Sequence, residues 1–349
     1  MIEAMIREVD LTATSQNKID SIYFGGGTPS LLNAKDLKKL LCAVYKKYNV
    51  SADAEITLEA NPDDISETKL SEWKSVGINR FSIGIQSFNN EDLLWMNRAH
   101  NVAQAMLCIK QVKDAGFQNF SVDLIYGTPT LSDDGWKKNV QTVIDLNVPH
   151  LSCYALTVED KTALHKMISL KKKQDVDPEK QAHQFLLLLD WLTVAGYEHY
   201  EISNFAKPGF RSKHNSSYWQ GKSYIGIGPS AHSFNGEVRR WNVSNNALYI
   251  QSLKKNIIPY QAETLSEIQK LNEYIMTSLR TTEGIDIDLI NKNFGKELRG
   301  KLEAAAMKYS KNEKVQITDQ RIMLTGEGKL FADGIAADLF FSEQKKSVL

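Results

Sequence analysis

Residues 21–156 repeat one pattern five times, and the pattern leaves few folds open. Short runs rich in β-branched and aromatic residues (21–25, 56–59, 80–86, 120–126 and 151–156) end in polar or glycine turns. Between them lie stretches with apolar residues at helical spacing: 33–48, 66–76, 102–115 and 134–146. Strand then helix, repeated, predicts a parallel sheet. The alternation continues through a helix over 178–195, stopped by Gly196, and a sixth strand over 197–202.

The polar residues fall at one end of these strands. Gly25-Gly26-Gly27-Thr28, Glu59, Gln86, Asp123 and Thr157 all sit at or just after a strand's C-terminal end, where barrel enzymes place their sites. The expected fold class is therefore α/β, a partial (β/α) TIM-like barrel occupying residues 1–205. Residues 206–262 read as an irregular segment rich in Gly, Ser, Asn and aromatics. From 263 to 349 a separate module is expected: helices over 271–279, 285–294 and 296–309, strands at 315–317 and 321–324, and a helix over 325–339. That order is winged-helix-like, which by itself does not make DNA a partner.

Lys plus Arg equals Asp plus Glu at 42 each, so no global field draws the chain to nucleic acid, and basic residues in the last module are interleaved with acidic ones. The most apolar stretch, 185–194, is broken by Asp190 and is far shorter than the roughly 20 residues of a bilayer crossing. Residues 2–8 form an amphipathic helical pattern unlike a secretion signal, so the expected location is the cytoplasm. Cys42, Cys108 and Cys153 are far apart among apolar neighbours and read as core residues. Trp73, Trp95, Trp136 and Trp191 recur where helices would pack on the sheet.

A glycine loop directly after a strand brings backbone N–H and C=O groups close to a ligand, although Gly and Pro build the same turn with nothing bound. The ordered company of this loop narrows the reading. It comprises Leu58-Glu59-Ala60-Asn61-Pro62, Ser82-Ile83-Gly84-Ile85-Gln86-Ser87-Phe88, Asn97-Arg98-Ala99-His100 and Val122-Asp123-Leu124-Ile125-Tyr126-Gly127. The succession resembles the radical S-adenosylmethionine (SAM) proteins related to oxygen-independent coproporphyrinogen III oxidase, from the first helix to the end of the chain. The resemblance implies that Gly26, Gly27 and Thr28 meet the methionyl end of SAM. It further implies that Glu59, Gln86, Arg98 and Asp123 line the rest of the site and that Ala155 meets the adenine by main chain. Carboxylates suit ribose hydroxyls, and a guanidinium or amide suits the methionyl carboxylate.

The resemblance also implies a Cys-x-x-x-Cys-x-x-Cys loop whose thiolates hold a [4Fe–4S] cluster. This sequence has no such loop. Met1 already falls in the helix that would follow it, so the cluster is expected only in a form with cysteines upstream. A missing first strand would leave an open sheet edge that invites self-association.

His214-Asn215-Ser216-Ser217-Tyr218-Trp219 is similar to the His-Asn-x-x-Tyr-Trp signature of the heme-chaperone branch of that family. It implies heme as a ligand, His214 as the iron-binding residue, Tyr218 and Trp219 as ring contacts, and an apoprotein that accepts the heme. Lys207, Arg211 and Lys213 are candidates for propionate partners. The rival expectation is the decarboxylating oxidase itself, which needs the cluster.

Overall fold

The computed structural model describes residues 1–12 and 18–342. Helix α1 (Ile2–Leu11) precedes β1 (Ile19–Phe24), and α2 (Ala34–Lys47) leads to β2 (Val50–Ala60). Then come α3 (Glu67–Ser75), β3 (Arg80–Gln86), α4 (Asn90–Trp95), α5 (Val102–Asp114), β4 (Phe120–Tyr126), α6 (Asp133–Asp145) and β5 (His150–Ala155). The helices begin where the sequence provides caps: the Ser66 hydroxyl accepts from Lys69 N–H, and Asn101 and Gln104 close a capping box.

Helices α7 (Ala163–Ser169) and α8 (Pro178–Val194) bring the chain to β6 (Glu198–Glu201) and β7 (Asn204–Ala206). The seven strands form one curled half-barrel sheet in the order β1-β2-β3-β4-β5-β7-β6. Strands β2 to β5 pair in parallel, as the alternation predicts. The sixth strand departs from that expectation. β6 pairs only with the unforeseen β7, antiparallel, and β7 pairs antiparallel with β5. Only Ile202 and Ser203 separate β6 from β7, and so short a connection can make a hairpin but not a crossover.

The chain divides into two compact units that are not consecutive stretches of sequence: Ser21–Ala34 with Glu55–Arg211, and Met1–Asp20 with Lys35–Ala54 and Ser212–Leu349. The first holds the body of the sheet. Its core is aromatic, with Trp73 against Phe81 at 5.6 Å, Phe81 edge-on to Phe117 at 4.7 Å, and Tyr126 against Trp136 at 5.7 Å. Each buried ring is worth about 1.5–3 kcal/mol of transfer free energy. Trp73 and Trp136 are core residues as expected, whereas Trp95 is half-buried beneath Lys173 and Trp191 is half-buried.

In the second unit, residues 206–262 are more ordered than their composition suggests. Helices α9 (Lys213–Trp219) and α10 (Asn246–Lys254) accompany β8 (His232–Phe234), β9 (Val238–Asn242) and β10 (Tyr260–Thr264), which form an antiparallel sheet. Strands this short and polar, such as Val238-Arg239-Arg240-Trp241-Asn242, lack the alternation that marks a half-buried strand. The C-terminal part runs α11 (Glu267–Leu279), β11 (Ile285–Asp286), α12 (Ile287–Phe294), α13 (Lys296–Lys311), β12 (Val315–Ile317) and β13 (Arg321–Leu324). It closes with α14 (Ala332–Asp338). The expected two-stranded ribbon gains β11 as a third strand, in the order β11-β13-β12. The last helix begins at Ala332, after a 3-10 turn at Gly328–Phe331, instead of at 325.

Cys108 and Cys153 are buried, but Cys42 is exposed, contrary to the core assignment. On α2 the buried stripe is Leu37, Leu40 and Leu41, and one further residue turns the side chain out of it. Fully buried in this unit is Glu8 of α1, whose carboxylate accepts from Gly228 N–H at 2.8 Å, Asn242 Nδ2 at 2.6 Å and the Tyr249 hydroxyl. No helix among the described residues is long and apolar enough to cross a membrane.

Candidate functional site

The site forms where the strands of the half-barrel end. Along β1, alternation puts Tyr23 and Gly25 on one face, and the Tyr23 hydroxyl donates to Glu59 Oε1 of β2 at 2.8 Å. A Cβ on Gly25 would stand 2.7 Å from the Tyr23 ring and 2.8 Å from Glu59 Oε1, so only glycine fits between them. Gly26 has φ of +82° with open space around it, and Gly25 to Thr28 are all exposed. This loop presents bare backbone next to a carboxylate.

On β4, Asp123 receives the Ser82 hydroxyl of β3 at 3.3 Å, and Ser121 donates onward to Ser82 at 3.0 Å. Part of the residue stays open, yet its carboxyl group is enclosed, and burial pushes the pKa up to about 6. Hydrogen bonds from Ser152 and Ser82 and the charge of Arg80 pull the other way, while Glu59 adds to the rise. Tyr23, raised mainly by burial, also feels Glu59 and Asp123. Glu59, Asp123, Tyr23 and Ser82 are thus one electrostatic group.

Gln86 ends β3 in a strained conformation. The β3–β4 register slips between Ile83 and Gln86, and Gln86 has φ of +68° at the centre of a γ-turn closed by Ser87 N–H donating to Ile85 C=O at 2.9 Å. Such turns persist only where the surroundings enforce them. Here His100 Nε2 holds the Ile85 carbonyl at 2.9 Å, and the buried Asn139 binds Phe88 N–H and the Ser87 hydroxyl. The turn aims the Gln86 amide over Gly84, where a Cβ would lie 2.8 Å from Gln86 Nε2 and 3.2 Å from Arg98 Nη2. Arg98 follows Asn97, whose φ of +56° closes α4, and its guanidinium donates to Asn61 Oδ1 at 3.3 Å and Gly84 C=O at 3.4 Å. Burial lowers the Arg98 pKa, and the charges of Asp63 and Asp123 oppose this.

The structure therefore brings Gly25–Gly27, Glu59, Gln86, Arg98 and Asp123 to neighbouring strand ends, with carboxylates on one side and amide and guanidinium donors on the other. Ala155 ends β5 opposite Tyr126, and Thr28 opens the 3-10 turn at Pro29–Leu31 with its hydroxyl unused as a cap. Reading motifs residue by residue misses Tyr23, Asn61, Ser82 and Ser152. The period of two along each strand could have found Tyr23 and Ser82, which share a face with Gly25 and Arg80.

The His-Asn-x-x-Tyr-Trp segment is helical, within α9. Ser212 caps α9 by accepting from Asn215 N–H. The four-residue spacing then sets His214 beside Tyr218, ring centroids 5.1 Å apart and edge-on at 84°. Trp219 turns away and lies under the Arg280 guanidinium at 5.7 Å. The expected propionate partners are engaged otherwise: Lys213 with Asp53 at 3.0 Å, Arg211 with Glu198 at 2.9 Å, and Lys207 with Asn147.

Residues 2–143 match the radical SAM superfamily, and residues 265–331 match the HemN C-terminal domain. The heme chaperone HemW of Bacillus subtilis is 30% identical over 327 residues, covering 93% of this chain and 86% of that protein. HemW of Lactococcus lactis is 33% identical, covering 94% and 86%. The chain belongs to the radical SAM family, in its HemW branch. Coproporphyrinogen III oxidase (HemN) from Escherichia coli shares the fold, with a TM-score of 0.81 at 21% identity over 97% of this chain and 82% of that one.

The radical SAM family implies SAM and a [4Fe–4S] cluster. The donor set at the strand ends fits SAM, since bare backbone, paired carboxylates and an amide–guanidinium pair answer its amino, hydroxyl and carboxylate groups. The cysteines present do not fit a cluster. Cys42 lies on α2, Cys108 on α5 and Cys153 on β5, and no group of three His, Cys, Asp or Glu among the described residues could hold a metal ion.

Proposed function

We propose that this protein is a heme chaperone that binds SAM at the strand ends and an iron tetrapyrrole on α9, and passes heme to an apoprotein in the cytoplasm. The observation that carries the reading is the His214–Tyr218 pair at 5.1 Å on one face of α9, in a chain whose relatives are named heme chaperones. A neutral imidazole is an iron ligand, and the phenol ring at its edge offers a surface for a flat macrocycle. Trp219, tied to Arg280, would frame the other side of the helix.

At the strand ends, Gly26, Gly27 and Thr28 would meet the methionyl amino group by main chain, and Gln86 and Arg98 would orient the carboxylate. Glu59 and Asp123 would accept from the ribose, and Ala155 would meet the adenine. A bound [4Fe–4S] cluster would supply one-electron reduction, and among the described residues no group of three His, Cys, Asp or Glu could hold it. Titration with hemin tests the proposal: the wild type should develop a Soret band that is clearly diminished in His214→Ala. A His214→Ala protein that binds heme like wild type would refute it.

A further inference from the structure

The small sheet after α9 carries a second imidazole that the chaperone motif does not include. His232 on β8 pairs across the ribbon with Trp241 on β9, the rings 6.2 Å apart and within 26° of parallel. Side chains two apart on a strand share a face, so Phe234 stands beside His232. Opposite Phe234 is Arg239, whose guanidinium lies 5.9 Å from the phenyl ring and is tied to Glu273 at 2.6 Å. A bridge between Tyr224 and Phe234 adds Tyr224 to the same face, ring to ring at 6.2 Å. Tyr224 then meets Tyr218 of α9 at 4.7 Å, and Tyr218 meets His214.

The result is two ring clusters on one face of the ribbon, His232 with Trp241 and the chain Phe234–Tyr224–Tyr218–His214, each carrying one imidazole. His232 and Tyr218 are exposed, and the other rings are only half-buried. The ribbon is held rigidly: a Cβ on Gly226 would stand 2.1 Å from the His232 carbonyl oxygen, so residues 224–226 lie hard against β8. A cross-strand ring pair by itself adds little to a sheet, a small return for leaving so much aromatic surface in water. Imidazole nitrogens beside ring faces are the chemistry of an iron tetrapyrrole site.

We propose that His232, backed by Trp241, is a second tetrapyrrole station, coordinating iron through its imidazole beside the ring cluster that leads to His214. The proposal rests on the reading of His214 as a heme ligand. It also gives that reading a direction, because heme bound at His214 has a second imidazole ligand to move to on the neighbouring ribbon.

The test is hemin titration of the full chain as wild type, His214→Ala, His232→Ala and the double variant, with circular dichroism to confirm that each is folded and resonance Raman to report imidazole ligation. Each single variant should retain about half of the wild-type Soret amplitude with its imidazole signature, and the double variant should retain neither. A His232→Ala protein identical to wild type, with His214→Ala devoid of heme, would overturn the second station and leave the chaperone reading intact. Failure of the wild type to bind hemin would overturn both, and undiminished binding by the double variant would overturn the coordination at either imidazole.

Discussion

Asp123 is held where its charge costs the fold free energy, and relieving that cost should be measurable. Burial moves its pKa from the ordinary 3.8 to about 6, so the folded state holds the proton more tightly than the unfolded chain. By linkage, stability is highest while Asp123 is protonated and falls as pH rises through the window between those two values. The displacement is worth about 3 kcal/mol once the group is fully ionised. Asp123→Asn keeps the shape, leaves a carbonyl oxygen for Ser82 and removes the charge. At about pH 7.5 the variant should therefore be more stable than wild type by up to about 3 kcal/mol, or about 2–4 °C in melting temperature per kcal/mol for a folding unit of 150–250 residues. At about pH 4 the advantage should vanish. Thermal unfolding of both proteins across that range is the assay. An Asn variant that melts below wild type at neutral pH, or whose difference from wild type does not change with pH, would refute the reasoning. Stabilisation together with lost ligand binding is the expected mark of a site residue whose environment serves the ligand before the fold.

Glu8→Ala would leave Gly228 N–H and the Tyr249 hydroxyl buried without this acceptor, and Asn242 Nδ2 with only the Gly228 carbonyl. A loss of about 3–5 kcal/mol is expected in denaturant unfolding, with Glu8→Gln losing less because it keeps one acceptor oxygen. Thiol titration under native conditions should modify Cys42 rapidly and leave Cys108 and Cys153 unreacted until the chain is unfolded. Burial pushes the Cys108 thiol up to about 12 and Cys153 higher still, while Cys42 is exposed.

The half-barrel was legible because its signal is periodic. β3 and β4 span the expected residues 80–86 and 120–126, and the helices between begin at Ser, Asn and Asp caps visible in the sequence. The antiparallel β6–β7 hairpin was not, since four polar residues and a two-residue link carry no sign of direction. The site was legible as a row of strand-end residues, but its working geometry was not. The +68° φ of Gln86 depends on Asn139 and His100, which lie 53 and 14 residues further along the chain. The His-Asn-x-x-Tyr-Trp motif gave the residues of α9 without showing that Trp219 would leave the pair for Arg280, a partner 61 residues away. Local pattern carries secondary structure, whereas the partners that fix a side chain's direction come from distant sequence.

The central claim is that separate strand ends form one SAM site. Hydrogen–deuterium exchange with and without saturating SAM measures it directly. The account predicts slowed exchange together in the peptides covering 25–28, 59–61, 84–88 and 121–124, with α9 unchanged. Protection confined to a single one of these segments, or appearing only outside them, would contradict it.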